Sequence, residues 1–286
     1  MGVFARYLHE GMSLFQQVGF RIFAGFLFSC LIFYKHIDLR KLQEIKLNQW
    51  ALLILRGFAI YLIGISFGTV AYINGKYSNI SFIMAFPMTA ILGTLIFKDK
   101  LSVKKFLYIL MAFLGVVLIV VRDFSQIFSW DKMSLYAILA VTFVSLGNLL
   151  RKWHTDLLND KEISMFILFI STILLFITSV SMGERITNIK WTPLLILVVI
   201  GAGIFNALYS YLANYGFKHI DTLLANNILA LQSIYGVLIS WILYHENPSL
   251  KECIGGVLII LSIILLNNYS SINVGIVKQA ERRNNL

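Results

Sequence analysis

Nine long apolar stretches dominate the chain, and they constrain its fold more than any other feature. A membrane-spanning helix needs about 20 apolar residues, because the hydrocarbon core of a bilayer is about 30 Å thick. The stretches are continuously apolar, whereas the strands of a membrane β-barrel alternate between apolar and polar residues. They therefore predict helices. The predicted spans are 14–34, 50–74, 79–97, 106–121, 135–150, 163–182, 191–214, 223–244 and 253–269.

The composition excludes an ordinary soluble domain. Hydrophobic residues make up 58% of the 286 residues and charged residues 13%, whereas soluble globular proteins carry about 25% charged residues. Little of the chain lies outside the predicted spans, so no sizeable extramembrane domain is expected. The predicted fold class is an all-α polytopic membrane protein with nine transmembrane helices.

The positive charge predicts the orientation of the chain rather than a nucleic-acid partner. The formal net charge is +10, but the basic residues gather in alternate loops, as the positive-inside rule expects. If the loop 35–49 is cytoplasmic, 15 Lys and Arg residues lie on the cytoplasmic side and seven on the outer side. We therefore predict a multi-pass protein of the inner or plasma membrane with a cytoplasmic C-terminus.

Part of the pattern occurs twice. Segment 81–121 contains an apolar helix, a polar break and a second apolar helix, and segment 228–266 repeats this order at a constant offset of 147 residues. The break 97–105 carries four lysines, whereas 244–252 carries one lysine and two glutamates, so the two copies are predicted to insert with opposite orientation. This predicts a first repeat at 1–122 with four helices, a second, inverted repeat at 123–276 with five, and a basic cytoplasmic tail at 277–286.

The beginning of the chain is predicted to be the end of a helix followed by a turn. Glu10, Gly11 and Ser13 supply turn and N-cap chemistry before the span that starts at residue 14. One more helix upstream would give ten helices, five in each repeat. We expect that a helix belongs there, and a native nine-helix form is the alternative.

Several segments resemble the EamA-type members of the drug/metabolite transporter superfamily. The segments are FARYLHEGMSLFQQVGFRIFAGFLF, LRGFAIYLIGISFGTVAYI, FIMAFPMTAILGTLIFKDKLSVKKFLYILMAFLGVVLIV, NLLRKW and YGVLISWILYHENPSLKECIGGVLIILSIILL. The resemblance implies a ten-helix inverted-repeat fold and the transport of small metabolites such as amino acids, often outward. The chain departs from the family pattern at Asp99, where Glu is usual, and at Ile234, which stands at the position equivalent to Pro87.

The charged residues of the spans are the first candidates for recognition. Arg21 and Arg56 are the only charges within the predicted spans, and a charge in lipid is costly unless it finds a partner or water. Arg56 could bind an anionic group such as a carboxylate, and snorkelling of both side chains to the headgroups is the alternative. All 14 acidic residues lie outside the spans, which argues against a proton antiporter with a mid-membrane glutamate.

Uncharged polar residues within and beside the spans are candidates for lining a substrate path, with hydrogen bonding between helices as the alternative. Glycine and proline positions are candidates for gating, with tight packing or a static bend as the alternative. The path candidates are Arg56, Tyr61, Tyr72, Ser145, Asn148, Asn206, Ser210, Asn226 and Ser233, and the gating or packing candidates are Gly64, Gly68 and Pro87.

The sequence predicts no enzyme, no cofactor and no metal site. The pattern His-x-Asp occurs three times, at His36, His154 and His219, but its repetition is more consistent with loop composition than with zinc ligation. The expected partners are a small-molecule substrate and lipid, with a homodimer left open and no nucleic acid.

The predicted function is a secondary transporter that works by alternating access. The alternatives are a nucleotide-sugar or drug carrier of the same superfamily and a non-transporting membrane protein or assembly partner. An intramembrane enzyme would need buried acid, base or nucleophile groups, and no such constellation stands out in the spans.

Overall fold

The computed structural model describes residues 2–97, 102–121, 124–126, 131–185, 189, 191–244 and 247–284, and every regular element in them is helical. The helices are α1 (Gly2–His9), α2 (Leu14–Phe33), α3 (Leu47–Gly57), α4 (Ser66–Asn74), α5 (Tyr77–Met84), α6 (Met88–Phe97), α7 (Val103–Val120), α8 (Lys132–Leu149), α9 (Asp160–Ser181), α10 (Pro193–His219), α11 (Thr222–Leu229), α12 (Leu231–Tyr244) and α13 (Leu250–Asn284).

The predicted all-α membrane fold is confirmed. Eight helices of the described chain are long and apolar enough to cross a membrane, and large apolar side chains such as Leu31, Leu95 and Val180 are exposed along them. Lipid is the solvent that such a surface requires.

The ninth predicted span, 223–244, is divided into two shorter helices. The structure ends α11 at Leu229 and begins α12 at Leu231, and neither helix alone reaches the length of a span. At the junction the Ala230 N–H donates to the Asn227 carbonyl oxygen at 3.1 Å, and the Ser233 N–H donates to the Ala230 carbonyl oxygen at 3.1 Å. These bonds reach back three residues instead of four, so the helix tightens and breaks there.

The third predicted span is interrupted as well, at Pro87, between α5 and α6. Proline lacks an N–H and its ring clashes with the preceding turn, which explains this break. The two interrupted spans occupy corresponding places in the duplicated pattern of 81–121 and 228–266. Since Ile234 stands at the position equivalent to Pro87, the second interruption forms without a proline at that position.

The second predicted span contains a π-helix that the sequence did not predict. Residues Phe58–Ile65 form it, between α3 and α4. π-Helical turns are rare, and they are frequent at functional sites. This segment begins two residues after the candidate Arg56 and includes the candidate Tyr61.

The described chain packs as two compact units. Unit 1 consists of Met1–Met84 and Phe128–His219, and unit 2 consists of Ala85–Ile127 and Ile220–Leu286. Each unit therefore draws on both predicted repeats. The repeat boundaries at 122 and 276 stay a prediction, because a sequence repeat and a packing unit are different divisions of a chain.

Unit 1 is built by α2 on α9 and α10, and by the π-helix on α8. Glycine permits the close approach: a Cβ at Gly64 would lie 2.5 Å from a methyl of Val144, and one at Gly25 would lie 3.1 Å from the Gly203 carbonyl oxygen. The apolar core of this unit includes Val18, Leu53 and Ile163.

Unit 2 centres on the contact of α7 with α13. Gly115 and Gly255 face each other there, and a Cβ on either would lie 2.6 Å from the carbonyl oxygen of the other. The backbones of α7 and α13 are therefore in direct contact, which glycine at the crossing permits.

The turn and helix start predicted at residues 10–13 are confirmed. The chain turns after α1, and α2 begins at Leu14. The first turn of α2 is capped from far away in the chain, since Glu184 accepts hydrogen bonds from the N–H groups of Phe15 at 3.2 Å and Gln16 at 3.0 Å. A carboxylate at a helix N-terminus satisfies free donors and complements the helix dipole.

Candidate functional site: a buried arginine cluster in unit 1

A group of charged and polar side chains is buried at one end of unit 1. We call Arg56, Arg151, Asp160 and Asn214 the Arg56 cluster. They come from four elements: α3, the 3₁₀ turn Leu150–Trp153 after α8, the first residue of α9, and α10. Chain segments far apart in sequence therefore meet here.

Arg56 is held by two neutral acceptors. Its Nε donates to the Gly147 carbonyl oxygen at 2.8 Å, and its Nη2 donates to Oδ1 of Asn214 at 2.7 Å. The side chain is only 2% exposed. Snorkelling to the membrane surface was the alternative for this residue, and the structure contradicts it: the guanidinium is enclosed by protein instead of reaching headgroups.

Asn214 is oriented by its own hydrogen bonds. Its Nδ2 donates to the Ser164 hydroxyl oxygen at 2.8 Å and to the Ser210 carbonyl oxygen at 2.8 Å. With the amide nitrogen committed to these acceptors, the amide oxygen must point at a donor, and Arg56 is that donor.

The carboxylate of the cluster belongs to Asp160. It forms an ion pair with Arg151 through Oδ1, and Oδ2 lies 3.1 Å from Nε2 of His219. Arg151 is 1% exposed, so this pair is largely removed from water. Asp160 also lies near enough to Arg56 to interact with its charge, although the two share no described hydrogen bond.

Two fully buried guanidinium nitrogens of the cluster have no hydrogen-bond partner among the described residues. They are Nη1 of Arg56 and Nε of Arg151, and both are buried. A buried donor without a partner costs about 1–3 kcal/mol, and more when it is charged. Such atoms are rare in folded proteins and call for an explanation.

His154 lies beside the two arginines, just after the 3₁₀ turn. Burial, with the charges of Arg56 and Arg151, lowers the pKa of this imidazole from 6.5 to about 3. The ring is therefore neutral at pH 7, and its Nε2 has no partner among the described residues. A small cleft opens here, lined by Ile45, Gln49, His154, Thr155, Leu157 and Leu158.

Several of the candidate residues surround Arg56. Ser210 lies beside Tyr61 of the π-helix, and both are buried. Nδ2 of Asn148 donates to the Tyr209 hydroxyl at 3.2 Å. Tyr61 and Tyr209 both interact electrostatically with Arg56, so the structure brings Arg56, Tyr61, Asn148 and Ser210 into one region. Ser145 is buried on α8, the helix that also carries Asn148.

The other path candidates lie elsewhere. Nδ2 of Asn206 donates to the Ala202 carbonyl oxygen of its own helix at 2.7 Å. Tyr72 packs on an apolar cluster that includes Ala71 and Ile80. The remaining two candidates, Asn226 on α11 and Ser233 on α12, are half-buried in unit 2.

The gating or packing candidates differ in how tightly they are packed. Gly64 lies directly against Val144, whereas a Cβ at Gly68 would make ordinary contacts at 3.5 Å with Ala140 and 3.6 Å with Met84. Pro87 lies at the interruption between α5 and α6. Residues 98–101 of the first break, which include Asp99, and residues 245–246 of the second break lie outside the described residues.

Arg21, the second charged residue of the spans, lies outside the Arg56 cluster. Its Nε donates to the Gln17 carbonyl oxygen at 3.2 Å and its Nη2 donates to the Thr69 hydroxyl at 3.2 Å. The side chain is 2% exposed, so snorkelling is contradicted here too. No atom of Arg21 is among the unpartnered buried atoms of the described chain.

The role of the acidic residues at the start of α9 was not predicted, because they come before the predicted span 163–182. The helix begins at Asp160, and Glu162 is completely buried, 3.0 Å from Nζ of Lys41. Glu162 also accepts from the N–H groups of Asp38 at 3.0 Å and Asn159 at 2.8 Å. The pattern Asn159-x-x-Glu162 is a capping box, and this signal could have placed the helix start correctly.

The His-x-Asp pairs make other contacts. His219 lies against Asp160, and Asp221 forms an ion pair with Lys105 at 3.2 Å while it caps α11. Asp156 pairs with Lys218 at 2.6 Å, and this contact holds the pKa of the Asp156 carboxyl below its usual value. These side chains therefore serve as structural ion pairs and caps.

Comparisons with known proteins agree with this architecture. A solved crystal structure superposes on the chain with a TM-score of 0.71 at 14% sequence identity, covering 92% of this chain and 90% of the other. At that identity the likeness shows the fold alone. No curated protein sequence matches. The model of the EamA-like transporter family matches residues 1–121 and 131–268, so the chain belongs to the EamA-like transporter family.

Proposed function

We propose that this protein is a secondary transporter that moves small metabolites across the cell membrane by alternating access. Amino acids are the proposed cargo and export is the proposed direction, as the family resemblance implies. The proposal includes no enzymatic step and no cofactor.

The observation that carries the proposal is the Arg56 cluster. Charged side chains within membrane spans are costly, and they mark substrate or ion pathways when they are retained. Arg56, Asn148 and Ser210 gather polar groups inside a unit whose outer surface is apolar.

The interrupted spans support the same function. Discontinuous helices at corresponding places of two repeats are typical of transporter binding sites, because their free backbone groups can contact a substrate. The breaks at Pro87 and Ala230 fit this pattern. We further propose the inverted repeats 1–122 and 123–276 and a cytoplasmic tail at 277–286.

The proposal is tested by flux in proteoliposomes. Purified protein is reconstituted, the vesicles are loaded with labelled amino acids, nucleotide sugars or cationic drugs, and efflux is compared with that from protein-free vesicles. Faster efflux of one amino-acid group supports the proposal. Efflux of only nucleotide sugars or drugs would assign the protein to another carrier class, and no flux of any compound would favour a non-transporting membrane protein.

Two further measurements address topology and assembly. Accessibility of a cysteine introduced at residue 280 to an impermeant reagent, in intact and in opened cells, tests the cytoplasmic tail. Light scattering of the purified protein separates a monomer from a homodimer.

A further inference from the structure

The Arg56 cluster has an excess of one positive charge. Arg56 and Arg151 are both enclosed by protein, and the carboxylate of Asp160 is the acidic group paired with them among the described residues. His154 contributes no charge at pH 7, and Asn214 is neutral. Two further charged groups lie nearby. Asp156 interacts with the charge of Arg151, but it is paired with Lys218 at 2.6 Å, so this pair leaves the excess unchanged. His219 shares Asp160.

The free donors of the cluster match this charge excess. Among the described residues, Arg56 leaves Nη1 without a partner and Arg151 leaves Nε without one. Nε2 of His154 is also without a partner, and it is a donor or an acceptor according to the tautomer of the neutral ring. The charges of both arginines act on His154, so the three groups are neighbours. Uncompensated charge and open donors at one place are what an anion-binding site has before its ligand enters.

We propose that the Arg56 cluster binds a single carboxylate group of a small metabolite, with Arg56 and Arg151 as its two cationic contacts. This inference rests on the proposed transport function and names the substrate class, a carboxylate-bearing metabolite. Asn214 and the Gly147 carbonyl oxygen are positioning groups, since they fix the Arg56 guanidinium. The cleft beside His154 lies next to the site.

The size of the charge excess selects a carboxylate over a phosphate. One carboxylate carries one negative charge and neutralises the excess, whereas a phosphate group carries about 1.5 to 2 charges at pH 7 and would overcompensate it.

Arg21 serves as an internal control. It is a second buried arginine of unit 1, but its two described hydrogen bonds go to Gln17 and Thr69, and no atom of it is among the unpartnered ones. Unlike Arg56, Arg21 therefore has no fully enclosed donor without a partner, although its Nη1 makes no described hydrogen bond.

The test measures binding without transport. Thermal unfolding of the purified protein in detergent is followed by tryptophan fluorescence with increasing sodium acetate, at an ionic strength held constant with sodium chloride. Acetamide is the uncharged match for acetate, and inorganic phosphate is the match for a phosphate-bearing ligand. We expect acetate to raise the unfolding temperature in a saturable manner, since a ligand that binds the native state stabilises it.

Variants then locate the site. Arg56→Gln and Arg151→Gln should each weaken acetate binding by about tenfold or more, because each removes a charged contact. Asp160→Asn should tighten acetate binding by about tenfold, because it doubles the charge excess. Arg21→Gln should leave the acetate dissociation constant unchanged. A merely structural cluster would not produce opposite effects at Arg56 and Asp160.

Arg56→Lys replaces Arg56→Gln if the latter does not fold. Lysine retains the charge but lacks the planar set of N–H donors. We expect its dissociation constant for acetate to lie between those of wild type and Arg151→Gln. Equal stabilisation by acetamide would overturn the proposal. Stronger stabilisation by phosphate would overturn the carboxylate assignment, and an unchanged dissociation constant in Arg56→Gln or Arg56→Lys would overturn the site.

The proposal and the transport function can fail separately. Acetate binding with the expected variant pattern in a protein without flux would uphold the site and refute transport. Flux of a labelled amino acid that is unaffected in Arg56→Lys and Arg151→Gln would uphold transport and refute the site.

Discussion

The two compact units of this protein bury very different side chains. Among the described residues, the fully buried charged side chains all lie in unit 1: Arg21, Arg56, Arg151 and Glu162. The buried polar residues described in unit 2 are uncharged, namely Thr89, Thr222, Asn227 and Ser262. Unit 2 instead has the close glycine crossing of α7 and α13 and both halves of the interrupted span at Ala230.

This difference indicates a division of roles. Side chains that can recognise a charged group are concentrated in unit 1, whereas unit 2 is held mainly by packing of apolar surfaces. Since lipid provides little driving force for helix association, close packing has to replace the hydrophobic effect there. The variants below test this contrast, beginning with the largest expected effect.

The two units should respond very differently to neutralising a carboxylate. In unit 1, Asp160→Asn leaves two buried guanidinium groups without a carboxylate, and we expect a loss of about 3–5 kcal/mol. In unit 2, Asp221→Asn breaks a partly exposed pair with Lys105 at 3.2 Å but keeps an acceptor for the Leu223 N–H, so the loss should be about 1 kcal/mol or less. Denaturant unfolding of both variants gives the comparison.

Acetate provides the control for this pair. It should restore stability to Asp160→Asn and leave Asp221→Asn unaffected. Equal losses of unfolding free energy in the two variants would show that Asp160 contributes no more to stability than the more exposed Asp221.

The packing of unit 2 can be tested at Gly115. A Cβ here would lie 2.6 Å from the Gly255 carbonyl oxygen, which is backbone and cannot rotate away, so Gly115→Ala should destabilise by about 2 kcal/mol. Gly68→Ala is the matched change in unit 1, where the contacts begin at 3.5 Å, and it should cost almost nothing. A thermal unfolding midpoint that falls equally in both would contradict the proposed role of the crossing.

Acid should act on unit 1 through His154. The folded pKa of about 3 lies below the unfolded value of about 6.5, so the unfolded state binds more protons between these values. Stability should therefore fall as the pH drops below about 6.5, by up to about 1 kcal/mol per pH unit. Unfolding measured between pH 4.5 and 6.5 should show a smaller slope in His154→Gln, and an unchanged slope would exclude this group as the cause.

The smallest effect is expected at Gly201 on α10. Nothing lies within 4 Å of a Cβ at this position, and alanine favours the helix over glycine by about 0.5–1 kcal/mol. Gly201→Ala should therefore stabilise slightly, with wild-type flux. A loss of stability there would indicate an unrecognised contact on this face.

The apolar runs predicted the helices well because length and hydropathy alone decide whether a segment spans a bilayer. Helix interruptions were harder to predict. Pro87 could be recognised in the sequence as a helix breaker. The break at Ala230 depends on local hydrogen bonds around Asn227, and no proline marks it in the sequence. The π-helix at Phe58–Ile65 is likewise a matter of packing against α8.

The candidate site was only partly predictable for a similar reason. Arg56 stands out as a charge in an apolar run, but its contacts with Gly147 and Asn214 depend on how distant helices pack. Asp160 and Arg151 lie at helix ends, where charged residues are usually exposed, so the sequence gives no sign that the fold buries them. Asn214 follows the candidates Asn206 and Ser210 at intervals of four residues and shares their helix face, but this spacing does not reveal Arg56 as its partner.

The long separation between Arg56 and Asn214 has a consequence for how this protein is made. The two residues are 158 positions apart, and chains grow at about 5–20 residues per second. For roughly 10–30 s after its synthesis, Arg56 must remain in the membrane or at its surface without its partner on α10. Biogenesis of the chain therefore includes an interval in which its first half holds a charged group without its native partner on α10.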